Sequence, residues 1–381
     1  HLIHDVENNR AVALLRLSRE GDALEALRRA HAGGVYSNSF ANYVALQQEL
    51  CDWTEWALHV TALAEHLEKE ESFISPQHAL RLPVPFESAK RANQKAVDAS
   101  LDFIRQLRPK PMFRLPKAPG KTLRIGFMSS ALGGVAGRLV LGLWGAFDAT
   151  RTEAYAFVLD ADADGPIVVS AREHLGDNLM DVSTSNAVQI AQRVNWAKIH
   201  VLVDLDGHVT STFDTNRPTT SAVAALSAAP VQVHCMARHP MALHAPYLPW
   251  AVSDRVVTPP EFQSMFTEKL VLLSTLLLPA SHGSLNISAP HQDPTHNKPM
   301  VGFLGGSFHL DPDVINHWTR LLARHPETDL ILHSPGSVVA ENLVKAMGKF
   351  AKRLFFTDRN RTDMNQVATY WIVHRTPKFG V

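Results

Sequence analysis

The hydrophobic pattern of this chain changes period at Lys121. Before that point apolar residues recur at helical spacing, first Ala11, Leu14, Leu15 and Leu17, then Ala23, Leu24, Leu27 and Ala30. After it, short β-branched runs alternate with helical stretches. Such a switch predicts stacked helices followed by an α/β region. The strands there should run parallel, because each crossover carries a helix.

Residues 7–32 read as two helices broken at Gly21-Asp22 and closed by Gly33-Gly34. A second pair follows over 40–50 and 53–70. The pairs repeat at about 34 residues, the period of tetratricopeptide solenoids. Pro76, Pro83, Pro85, Pro109, Pro111, Pro116 and Pro119 then punctuate a linker over 73–120, with room for one helix at 87–107. From 121 the strands are expected at 123–129, 153–159, 199–205, 231–235 and 269–274, with helices at 185–196 and 219–227. Residues 278–298 read as loop. The rhythm resumes with strands at 300–304, 328–333, 353–356 and 370–373 and helices at 313–325 and 338–350. Two such halves place a ligand cleft near the carboxyl ends of their strands. The expected domains are 1–72, 73–120, 121–280 and 281–381.

Composition narrows the partners. Of 381 residues, 45% are hydrophobic and 19% charged, which is enough to bury a core. Lys+Arg and Asp+Glu number 37 each, so nothing electrostatic recruits nucleic acid, and a neutral chain suits a subunit lying against other protein. Cys51 and Cys235 are the two cysteines. They exclude a disulfide scaffold and point to a reducing, intracellular compartment. No apolar run reaches the roughly 20 residues of a membrane span. A start at His1 rather than Met suggests a trimmed amino terminus.

Several segments resemble the family of O-linked N-acetylglucosamine transferases and SPINDLY proteins. Leu46-Gln47-Gln48-Glu49-Leu50-Cys51-Asp52-Trp53-Thr54 is similar to its last repeat, and Leu123-Arg124-Ile125-Gly126-Phe127-Met128-Ser129-Ser130 to the first strand of its catalytic region. Ile199 to His208 matches a strand that ends Asn-Gly-Tyr in the family. Ala229-Pro230-Val231-Gln232, Ser253-Asp254, Pro259-Pro260, Glu268-Lys269-Leu270 and Leu310-Asp311-Pro312 with Trp318 follow in the family order. The resemblance spans about residues 8–381. It implies tetratricopeptide-like helices before an α/β GT-B fold of two Rossmann-like lobes. It also implies sugar transfer from a nucleotide sugar (UDP-GlcNAc or GDP-fucose) to Ser or Thr of proteins, with no metal.

The same resemblance identifies departures. Val135, in the run Gly133-Gly134-Val135-Ala136-Gly137-Arg138, stands where the family has the first His of a His-Pro-x-x-His loop. Gly306 and His309 replace the Gln and Lys of Gln-x-x-Lys, and a neutral His lacks the permanent charge that supports a diphosphate. Met236-Ala237-Arg238-His239-Pro240 replaces a glycine-bearing Leu-Gly-Tyr-Pro-Gly loop. His200 is the retained catalytic candidate, with a strand-start His satisfied by backbone as its bland alternative. Gln232 and Gly380 are the other nucleotide-cleft candidates, beside Gly306 and His309. Gly380-Val381 coincides with the start of the family's donor-phosphate loop, so the second lobe is expected to be incomplete or completed by a partner.

Two further constellations could be ligand sites. His234, Cys235, His239 and His244 cluster without paired metal-ligand spacing, and a loop that lost its glycines explains them better. Asp160, Asp162 and Asp164 resemble a calcium loop whose twelfth position is Ala171, and a solvated turn explains them better. The resulting expectation is a degenerate glycosyltransferase fold. It would serve as a protein-binding or structural subunit of a hetero-oligomer, requiring no cofactor. The alternatives are an active protein O-glycosyltransferase using a nucleotide-sugar donor, and a solenoid adaptor.

Overall fold

The computed structural model describes residues 2–17, 19–31, 37–68, 74–107, 110, 112–159, 165–208, 218–236, 239–275, 277, 299–303, 305–333, 336–356 and 371–372. They divide into two compact units, one of residues 1–89 with 286–381, the other of residues 90–285.

The first unit begins with α1 (Leu2–Arg16), α2 (Glu20–His31), α3 (Ser37–Glu49) and α4 (Trp56–Leu67), each packed on the next. The first break falls at 17–19, not at Gly21-Asp22. There the Arg19 amide closes back onto the Leu14 carbonyl at 2.9 Å. Gly21 instead sits in the first turn of α2, where Glu20 and Asp22 suit the positive end of the helix dipole. Phe40, Tyr43, His31 and His59 form an aromatic seam, with the His31 and Phe40 rings edge to face at 5.0 Å. Gln47 ties α3 to α4, donating to the Thr54 carbonyl at 3.2 Å and meeting His59 Nδ1 at 2.8 Å. A short α5 (Pro76–Arg81) starts on a Ser75 cap inside the stretch expected to be linker.

The second unit holds most of α6 (Phe86–Gln106) and a seven-stranded parallel sheet in the order β3-β2-β1-β4-β5-β6-β7. Its strands are β1 (Leu123–Ser129), β2 (Thr152–Val158), β3 (Leu179–Asp181), β4 (Val201–Asp204), β5 (Val231–Cys235), β6 (Trp250–Asp254) and β7 (Lys269–Leu273). Its other helices are α7 (Val135–Ala146), α8 (Pro166–Leu175), α9 (Ala187–Trp196) and α10 (Thr220–Ala225). Side chains alternate between two cores. Met128, Phe157, Leu202 and Val97 of α6 pack with α9 and α10, whereas Phe127, Ala156, Val158 and Leu205 pack with α7 and α8. So α6 is a structural layer of this sheet. Its Asn93 Nδ2 donates to the Ala242 carbonyl at 2.8 Å.

The other sheet, in the first unit, is parallel with the order β10-β9-β8-β11: β8 (Met300–Phe303), β9 (Asp329–Leu332), β10 (Leu354–Phe356) and β11 (Trp371–Ile372). Helices α11 (Pro312–Arg324) and α12 (Ser337–Met347) connect them. Asp311 caps α11, its carboxylate accepting from the Val314 amide at 2.9 Å, and Trp318 meets Phe303 edge to face. Arg353 donates to the carbonyls of Leu322, His325 and Thr328, sealing the α11–β9 corner.

Candidate functional site

Strand order reverses between β1 and β4 in one unit and between β8 and β11 in the other. Ligands of doubly wound sheets bind at the carboxyl ends of strands flanking such a reversal.

At the first reversal the chain after β4 reads Leu205-Asp206-Gly207-His208. The Asp206 carboxylate accepts from Ser129 Oγ at 2.7 Å and from the Ser130 amide at 2.5 Å, tying the end of β4 to the end of β1. The Asp204 carboxylate accepts from the amides of Asp206 and Gly207. Both carboxylates are buried, and burial with the neighbouring Asp206 raises the Asp204 carboxyl to about 7. Gly207 adopts φ +65°. A Cβ there would lie 2.9 Å from His234 Cε1 and 2.9 Å from His239 Cβ, so the turn needs glycine on both counts.

Three histidine rings pack around this turn. His239 meets His208 at 5.8 Å and His234 at 6.1 Å between centroids, edge to face in both cases. All three are buried. His208 Nε2 donates to the Leu243 carbonyl at 3.1 Å, which leaves Nδ1 to accept from Ser221 Oγ at 3.4 Å. Tyr247 Oη lies 2.6 Å from the same Ser221 hydroxyl. His234 Nε2 donates to the His239 carbonyl at 2.9 Å, so its Nδ1 presents a lone pair toward Asp204 Oδ2, 4.0 Å away. Among the described residues, neither His239 ring nitrogen has a hydrogen-bond partner. Burial lowers all three imidazoles, His208 to about 4 and His239 well below its usual range. Glu268, itself buried, accepts from the amides of Leu243 at 2.8 Å and His244 at 2.7 Å and so pins the loop that carries His239 and Tyr247.

The residues singled out from sequence fall in both units. His200 precedes β4 at its amino end, on the sheet edge opposite the histidine cluster. Its Nδ1 accepts from the Arg124 amide at 3.0 Å, and its own amide donates to the Arg124 carbonyl. That is the arrangement of a strand-start His satisfied by backbone. Val135 is the first residue of α7, which makes the glycine run a turn into a helix and not an open loop. Gly137 is required there, since a Cβ would fall 1.9 Å from the Leu132 carbonyl oxygen. Gln232 is buried in β5, donating to the carbonyls of Ala224 and Tyr247 at 2.8 Å each. Gly306 and His309 bound a 3₁₀ turn after β8, at the second reversal. His309 is exposed and lies against the Phe308 ring, while the Phe308 carbonyl accepts from Gln48 of α3 at 2.8 Å. Gly380 and the Asp160-Asp162-Asp164 run lie outside the described residues.

His234 and Cys235 are adjacent in β5, so the pleat sends them to opposite faces. Among the described residues, no group of three or more His, Cys, Asp or Glu side chains is arranged to hold a metal, and no helix is long and apolar enough to cross a membrane. Sequence reasoning noticed His234 and His239 but missed His208, Asp204, Ser221 and Tyr247. The available signal was His208 and His239, standing in segments where the resembling family has Asn-Gly-Tyr and Leu-Gly-Tyr-Pro-Gly.

Residues 50–286 match the family described as glycosyl transferase family 41. The chain is 26% identical over 305 residues to a probable UDP-N-acetylglucosamine–peptide N-acetylglucosaminyltransferase, SEC, of Arabidopsis thaliana, covering 75% of this chain and 30% of that protein. It is 25% identical over 252 residues to the UDP-N-acetylglucosamine–peptide N-acetylglucosaminyltransferase of Caenorhabditis elegans, covering 62% of this chain and 21% of that protein. The chain thus spans less than a third of the length of these relatives. A mutant O-GlcNAc transferase of Thermobaculum terrenum superposes with a TM-score of 0.70 at 21% identity, over 94% of this chain and 68% of that chain. The fold is therefore GT-B, with two Rossmann-like lobes preceded by tetratricopeptide-like helices, and the chain belongs to glycosyl transferase family 41.

Proposed function

We propose that this chain is a catalytically degenerate family member, retained as a protein-binding or structural subunit of a larger assembly. The observation that carries this reading is the make-up of the β1/β4 edge. Asp204, Asp206, His208, His234 and His239 are all buried there, and they are acidic or held neutral. A nucleoside diphosphate leaving group requires positive charge aimed at it. The replacements inferred from the resemblance point the same way, with Val135 in place of a His and His309 in place of a Lys. Neutral overall charge and the absence of a long apolar helix among the described residues are compatible with a protein partner.

One observation favours a second reading, an active transferase taking a nucleotide sugar such as UDP-GlcNAc. That observation is the family 41 match over residues 50–286 together with the two retained parallel sheets. Nucleotide binding separates the two. The chain is titrated with UDP and with GDP at millimolar concentration while its thermal midpoint is followed. No change in midpoint is expected. A rise with either nucleotide that disappears in His309→Ala would overturn the degenerate reading.

A further inference from the structure

We propose that the histidine cluster His208, His234 and His239 is an acid-sensitive latch that holds the His239–Leu248 segment onto the carboxyl edge of β4 and β5. The inference is independent of whether sugar transfer occurs.

The geometry leaves no place for a second proton on His239. Its ring is fully buried between two other imidazoles, and neither nitrogen has a hydrogen-bond partner among the described residues. An imidazolium there would be an unpaired buried charge beside two rings that also resist charging. The charged and titratable groups around the cluster do not supply the missing acceptor. Glu268 is engaged by two backbone amides, and Asp206 by Ser129 and Ser130. Asp204 faces His234 and is engaged by the amides of Asp206 and Gly207. His244 and Tyr247 sit on the latched segment itself, and Asp98 of α6 acts on Tyr247. Protonation is therefore accommodated by releasing the segment, which places His239 in water and breaks the His234-to-His239 and His208-to-Leu243 hydrogen bonds.

The signs follow from linkage. Each histidine has its folded value below its released value of about 6.5, so its contribution is present above that pH and lost on acidification. Asp204 works in the opposite sense. Its folded value is raised to about 7, so its contribution is present at low pH and lost as pH rises through 7. Below pH 6.5 three histidines oppose one carboxyl, so release takes up protons and the opening constant rises as pH falls.

Hydrogen exchange of the full chain tests this, read at the Leu243 and His244 amides and corrected for the intrinsic pH dependence of exchange. Protection in the native protein should fall with acidification below pH 6.5. In His239→Phe, which removes the unpartnered ring nitrogens and keeps a ring of similar shape, release takes up one proton fewer and the fall should be ~10-fold shallower per unit. His239→Leu provides the same comparison should the Phe variant lack native protection at pH 7.5. A flat native profile, or a slope equal in both variants and the native protein, would overturn the latch.

Discussion

Replacing Gly207 by alanine tests how the β4 turn sets the whole cluster. The backbone at φ +65° costs an L-residue roughly 1–2 kcal/mol. The new methyl would meet His234 Cε1 at 2.9 Å, His239 Cβ at 2.9 Å and Leu243 Cδ2 at 3.0 Å, and forced overpacking of a core costs roughly 1–3 kcal/mol. Together Gly207→Ala should destabilise the seven-stranded unit by about 2–5 kcal/mol. The slowest-exchanging amides of β4 and β5 report global opening of that unit, so their protection should drop roughly 30-fold or more. A double-mutant cycle locates the cause. His234→Ala removes the Cε1 contact, so it should couple favourably with Gly207→Ala by about 1 kcal/mol. His239→Ala keeps the offending Cβ and should give no relief. A loss below about 0.5 kcal/mol for Gly207→Ala, or equal relief from both partners, would refute the reasoning.

Two further outcomes are expected. Glu268→Ala strands the amides of Leu243 and His244 in a buried loop, which should cost about 2–4 kcal/mol in the exchange of the same β4 and β5 amides, while Glu268→Gln retains an acceptor and should cost less. Burial pushes the Cys51 thiol up to about 12, so an aromatic disulfide reagent at pH 8 should leave it unmodified in the native protein and label it on unfolding; peptide mapping distinguishes it from Cys235.

Local chemistry made much of the fold legible. Val231–Cys235 is β-branched and bounded by Pro230, and the strand lies there as expected. The helix after Phe86 carries an apolar stripe long enough to fix its extent. By contrast the resemblance places a loop at 133–138 and no helix is read over 135–146, where Gly137 and Gly145 lower helix propensity. Close approach to the Leu132 carbonyl demands Gly137, a tertiary constraint that single-residue preferences do not express. The site was less legible for a related reason. His200 and Gln232 resemble family positions, but a pattern does not reveal that His200 Nδ1 is bonded to the Arg124 amide or that Gln232 Nε2 is shared by the Ala224 and Tyr247 carbonyls. Conversely, His208, His234 and His239 are separated along the chain and meet where the turn at Gly207, after β4, packs against the end of β5 and the loop that carries His239.

The first compact unit is assembled from both ends of the chain, and this has a kinetic consequence. Gln48 reaches the Phe308 carbonyl and Asn342 reaches the Leu50 carbonyl, contacts separated by 260 and 292 residues. Closing a flexible loop of that size costs roughly 5 kcal/mol in chain entropy. Prior folding of residues 90–285 shortens the effective loop and removes much of that cost. During synthesis the amino-terminal helices emerge first, yet they must wait for the last third of the chain to cover the end of α3. The inserted unit therefore acts as the closing clasp of a discontinuous one. Changes that slow its folding should prolong the exposure of those helices even when they touch none of their residues.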